Sequence, residues 1–110
     1  PLEARLIETK NWFDMASDSH YSIQLFVTRV VDAIGVDKFL ADDKETLDFE
    51  RIFIYETIIR DVEMYSVVYG DFSTRQQAQL MLNSLSPKLK QSRPLLQLVS
   101  RLRKEAVRNE

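Results

Sequence analysis

The sequence predicts an α+β domain: a four-stranded antiparallel sheet in the order βαββαβ, ferredoxin-like or RNP-like, with two helices on one sheet face and an extra helix at each terminus. Three observations carry that expectation. Residues 21–28 and 64–69 alternate in character with a period of two, as strands do. Residues 51–59 (RIFIYETII) are rich in β-branched and aromatic side chains. Between and after these runs the apolar residues change to helical spacing, first over 30–41 and again from Ala78 to Leu85.

Residues 1–16 place Leu2, Leu6, Ile7, Trp12 and Phe13 on one face of an amphipathic helix, where the Trp-Phe pair is expected to pack onto the domain. Asp18 and Ser19 interrupt it. In the first strand, Ile23, Leu25 and Val27 share one face and Ser22, Gln24, Phe26 and Thr28 the other; the hydrocarbon face is expected inward and the mixed face outward. Val30, Val31, Ile34, Phe39 and Leu40 predict a helix that is short or broken at Gly35 and Val36, with the acidic run DDKETLD as its exit. RDVE at 60–63 makes the next turn without the Asn-Gly or glycine of a tight hairpin.

Gly70 is expected to end the third strand. Ser73 and Thr74 supply an N-cap, with Gln76 and Gln77 at capping-box spacing. Ala78, Met81, Leu82 and Leu85 form the apolar face of the following helix; Pro87 marks its end, and 88–93 reads as a polar connection. LLQLV after Pro94 is a short fourth strand, and Ser100 is expected to cap a basic terminal helix. With both inner helices on one side, this topology leaves the opposite sheet face open.

The 110 residues suffice for one domain with its own core. Absence of cysteine removes disulfides and thiolate chemistry. Fifteen bases against seventeen acids argue against general binding to nucleic acid. The charge is nevertheless uneven: ten acids face four bases between Asp32 and Glu63, whereas seven bases face two acids from Leu85 onward. Two solvated faces explain this most simply. No apolar run approaches the roughly 20 residues of a membrane span, and a chain that begins at Pro1 reads as part of a longer one.

Catalytic patterns are lacking. His20 is the lone histidine, so neither a metal site nor a Ser-His-Asp arrangement can be assembled around it. Asp42, Asp43 and Glu45 read as a solvated loop rather than a carboxylate pair with raised pKa. Gly35 and Gly70 are too few for a phosphate loop. No cofactor and no enzymatic activity are expected. The RRM signature is missing from the strands, which removes RNA from the expected partners. Tyr55 and Tyr69 read as packing residues.

Tyr21-Ser22-Ile23-Gln24-Leu25 resembles the first-strand motif Y-x-[IVL]-Q-[LV] of SPOR (sporulation-related repeat) domains. Residues 65–73 (YSVVYGDFS) and Ala78 resemble their Y-x-V-x-x-G-x-[FY]-[ST]-x(4)-A motif, and Tyr55-Glu56-Thr57 and Pro94 stand where the DamX-like branch places them. The resemblance covers about residues 20–100, which divides the chain into a helical extension (1–19), a SPOR-like domain (20–100) and a basic tail or helix (101–110). It implies a periplasmic module that binds peptidoglycan, in particular glycan strands stripped of stem peptides, in a membrane-anchored protein of cell division or of a secretion or pilus system. The implied glycan-binding residues are Gln24, Phe26 and Thr28 on the first strand and Met64, Ser66 and Val68 on the third, all on the open face. Met64 replaces a typical exposed aromatic and Val27 a small polar residue. The alternative is therefore a protein-protein module on the same fold, with an envelope protein or a second copy as partner.

Overall fold

The computed structural model describes residues 2–43 and 46–106. Lys44 and Glu45 of the acidic run, and the last four residues of the expected terminal helix, lie outside the described residues. Along the chain α1 spans Leu2–Met15, β1 Tyr21–Arg29, α2 Ala33–Asp42, β2 Ile52–Ile59, β3 Val62–Phe72, α3 Arg75–Ser84, α4 Pro87–Lys90, β4 Leu95–Leu98 and α5 Val99–Glu105. Short 3-10 turns at Val30–Asp32 and Phe49–Arg51 lead into α2 and β2. The strands form one sheet in the order β2-β3-β1-β4, with each neighbouring pair antiparallel. The fold is thus the expected ferredoxin-like α+β arrangement with extra terminal helices.

On the inner face, Ile23, Ile52, Ile54, Val67 and Tyr69 meet Val36 and Leu40 of α2 and Ala78 of α3 in one buried cluster. α3 begins where the sequence indicates. Thr74 Oγ1 accepts the Gln77 N–H at 3.2 Å, and the Gln77 side chain bonds the Ser73 hydroxyl instead of closing a full capping box. Asp48 N–H donates to the Tyr69 hydroxyl at 3.0 Å, so this buried tyrosine packs with its polar end satisfied.

β1 departs from simple alternation. Gln24 lies opposite Val68, but Phe26 lies opposite Val67; two β1 residues advance while β3 advances one, which is a bulge at Leu25. Beyond it every side chain changes face. Phe26 turns inward and meets Phe39 of α2 edge-on, with ring centroids 4.9 Å apart at 78°. Thr28 follows it, opposite the core residue Tyr65, and Val27 faces outward, opposite Ser66. The expectation that Gln24, Phe26 and Thr28 share a face is therefore corrected.

Other local expectations also change. α2 runs through Gly35 without a break, and Val36 is fully buried; at this exposed position glycine costs only about 1 kcal/mol of helix propensity. β3 continues past Gly70 to Phe72, because Gly70 at φ 83° accommodates the second register shift against β1. The β2-β3 turn is tight despite its sequence, with Arg60 and Asp61 both at positive φ (51° and 67°), the signature of a primed turn. Residues 87–90 form a helical turn capped by Ser86. Ser100 does not cap α5, which starts one residue earlier at Val99 with no side-chain cap; Val99 N–H bonds His20 C=O at the end of the β1-β4 ladder.

A Cβ at Gly70 would overlap the Phe72 ring, which folds back over the glycine beneath the Arg51 guanidinium. Gly70→Ala combines that overlap with a left-handed backbone. Urea unfolding of this variant is expected to show a loss of about 2–4 kcal/mol.

Candidate functional site

The outer sheet face is not open along its whole width. Phe53 and Tyr55 of β2 project onto it beside Val68 and Ser66 of β3. Trp12 of α1 stacks on Phe53, with centroids 4.1 Å apart and planes 4° from parallel, and Phe13 meets Tyr55 edge-on at 5.4 Å. Leu102 of α5 completes a second buried cluster with Tyr55 and Val68. The Trp-Phe pair packs onto the domain as expected, but onto the face that was expected to be free.

Arg103 ties the two terminal helices together. Its guanidinium donates to Phe13 C=O at 2.8 Å and Ala16 C=O at 2.6 Å, and pairs with Asp18. These are carbonyls that the end of α1 leaves without helical partners. Thr57 Oγ1 of β2 donates to Glu105 C=O at 2.8 Å and fixes the far end of α5. Asp71 holds α1 from the other side, accepting from Trp12 Nε1 at 2.9 Å and bonding His20 Nδ1 at 2.6 Å. His20, between α1 and β1, is thus occupied in bonding β3.

Burial beneath these helices removes two expected site residues. Val68 is wholly buried and Ser66 is 1% exposed. The hydroxyls of Ser66 and Tyr55 make no hydrogen bond of normal geometry. Burial raises the Tyr55 pKa from 10 to about 12; the Ser66 hydroxyl partly opposes the shift and the Glu105 carboxylate adds to it. Phe26 and Thr28 face the core. Of the six expected residues, Gln24 and Met64 keep half-buried, outward-facing positions.

What remains of the outer face is a diagonal strip. Gln97 Nε2 of β4 donates to Gln24 Oε1 at 3.2 Å, leaving the Gln24 NH2 group and the Gln97 carbonyl for a ligand. Val27 and Met64 extend the strip as diagonal neighbours across β1 and β3, and Leu95 flanks it on β4. Sequence reading missed Gln97, Leu95 and Val27. The first two are visible in the alternation of LLQL, but placing them beside Gln24 requires the β1-β4 register. The strip offers amide donors and acceptors on an apolar floor. It carries no nucleophile or acid-base pair.

On the other side of the sheet, Phe26, Phe39, Lys38 and Leu89 line a cleft of about 380 Å³ between α2 and α4. Asp43 at its edge is 5% exposed, and Lys88 Nζ stands 3.7 Å from its carboxylate. This pair offsets the burial of the acid. Among the described residues no group of three His, Cys, Asp or Glu side chains could hold a metal ion, and no helix is long and apolar enough to cross a membrane. Compared with known protein families and with curated proteins, the sequence matches no family model and no curated protein.

The buried phenol gives a pH test. The unfolded chain ionises this tyrosine near pH 10 and the folded chain only near 12, so its contribution to stability is complete below pH 10 and declines as pH rises toward 12. Tyr55→Phe has no proton to lose there. Its alkaline unfolding midpoint, followed by circular dichroism, is expected above that of the wild type; an unchanged midpoint would place the phenol in water.

Proposed function

We propose that the chain is a non-catalytic binding module for peptidoglycan, taking denuded glycan strands on the strip formed by Gln24, Gln97, Val27, Met64 and Leu95. The observation that carries this reading is the Gln24-Gln97 amide pair, which leaves a donor and an acceptor side by side on half-buried, outward-facing residues of the sheet. Sugar hydroxyls need such pairs, and the weakly apolar faces of pyranose rings suit the neighbouring hydrocarbon. The SPOR-like motifs around Gln24 and Gly70 favour the same ligand and a periplasmic location in an envelope protein. Gln24 and Met64 remain from the six residues that the resemblance implied; Gln97, Val27 and Leu95 replace the others.

A protein-protein role is the second reading. It is favoured by the lack of an aromatic on the strip and by the hydrocarbon of Met64, Val27 and Leu95, which suits an envelope protein or a second copy of this chain.

Co-sedimentation with insoluble peptidoglycan, with and without amidase treatment, tests the glycan reading. Retention is expected to rise after amidase treatment and to fall by roughly tenfold in the Gln24→Ala, Gln97→Ala double variant, the loss of two or more modest hydrogen bonds. Met64→Trp is expected to raise retention by roughly threefold through ring stacking. Wild-type protein that stays in the supernatant would exclude the glycan reading. Concentration-dependent self-association in analytical ultracentrifugation, lost in Met64→Glu, would support the second.

A further inference from the structure

The two edges of the sheet are finished differently. Along β2, α1 closes the edge: Thr9 Oγ1 accepts the Ile54 N–H at 2.7 Å, and Arg5 donates to Ile52 C=O at 3.4 Å and Phe49 C=O at 3.1 Å, with both side chains buried. Such plugging keeps an edge from recruiting another strand. β4 has no counterpart among the described residues. Val99 N–H donates to His20 C=O at 2.9 Å at the end of the β1-β4 ladder. Antiparallel alternation then directs the backbone groups of Gln97 and Leu95 toward β1 and turns the N–H groups of Leu96 and Leu98 outward. Leu95 and Leu98 are 58% and 40% exposed beside them, and the strand contains no charged residue to discourage pairing.

The charge of the segment that carries this edge specifies what it suits. Residues 73–106 contain seven bases and one acid. Lys88 pairs with Asp43, Arg101 with Glu105 and Arg103 with Asp18. Arg75, Lys90, Arg93 and Lys104 have no ion-pair partner among the described residues, and Arg93 stands two positions before β4. Two copies joined edge to edge would supply no acid to meet either copy's Arg93, so self-pairing leaves that charge unanswered.

We propose that the β4 edge binds an acidic polypeptide segment in extended conformation, which adds as a fifth strand. Backbone bonds to Leu96 and Leu98 supply the register, and carboxylates meeting Arg93 select the partner. The site meets the glycan strip only at Leu95. Its backbone groups lie in the plane of the sheet, whereas Gln24 and Gln97 project from it, so neither reading depends on the other.

The test uses a fluorescein-labelled peptide of about ten residues alternating valine and glutamate, with a valine-lysine peptide as control, in fluorescence anisotropy at low and high salt. Leu98→Pro is the informative variant. Leu98 already has φ −67°, the value proline imposes, so the substitution removes the outward N–H with little backbone cost. Saturable binding of the acidic peptide is expected, weakened by salt and reduced roughly tenfold in Leu98→Pro and in Arg93→Glu. In the wild type the Leu96 and Leu98 amides should gain protection from hydrogen exchange when the peptide is bound, a readout that stands even if a variant misfolds. Equal binding of the lysine peptide, undiminished binding by folded Leu98→Pro, no saturable binding, or exchange protection elsewhere would overturn the proposal. So would a wild-type dimer that Leu98→Pro dissolves, since a second copy would then be the occupant.

Discussion

A strand alternates its side chains with a period of two, so one inserted residue reverses the assignment of everything after it. In β1 that residue is Leu25. Before it, Ile23 faces the helices and Gln24 faces away; after it, Phe26 packs on Phe39 of α2 and Val27 faces away. The bulge gives the inner core an extra aromatic. It also leaves the outer face with valine where an unbroken strand would present phenylalanine and threonine, so the same shift that improves the packing of α2 restricts the chemistry of the candidate site.

The terminal helices complete that restriction. α1 answers the unpaired groups of the β2 edge with Thr9 and Arg5, then lays Trp12 and Phe13 over β2. α5 reaches across from β4 and places Leu102 against Tyr55 and Val68. Arg103 bonds the last carbonyls of α1, so the two helices close the face as one unit. A buried aromatic stack of this kind stabilises through area removed from water and through ring geometry. The residues 1–19 and 101–106 therefore shape the exposed strip that a ligand can reach.

Much of the fold was legible in the sequence. The order of strands, the capped start of α3 and its apolar face follow from local periodicity and from Ser73, Thr74 and Pro87. α1 departs from its expected apolar face: it packs Leu2, Leu6, Trp12 and Phe13 but leaves Ile7 59% exposed and buries Arg5 and Thr9. The β1 bulge was not legible, because LFVT after Gln24 alternates as well without it as with it; the decision belongs to Phe39, a contact made at a distance in sequence. The cover over Ser66 and Val68 was equally hidden. Trp12 and Phe13 announce that α1 packs against something, yet nothing local says that it is the outer face. Gln97 entered the candidate site only through its register with β1. Residues whose role depends on one strand were thus readable, and those whose role depends on two elements were not.

The central claim is that α1, α5 and the β1 bulge confine ligand contact to the strip running from Gln97 and Leu95 through Gln24 to Val27 and Met64. Nitrogen-proton correlation NMR during titration with a soluble denuded glycan fragment examines this directly, residue by residue. The account predicts saturable shifts at Gln24, Val27, Met64, Leu95 and Gln97 and at the side-chain amides of the two glutamines, with Phe26, Thr28 and Phe39 unmoved. Shifts centred on Phe26, Thr28 and α2, or spread over Ser66 and Val68 as α1 and α5 release the face, would contradict it.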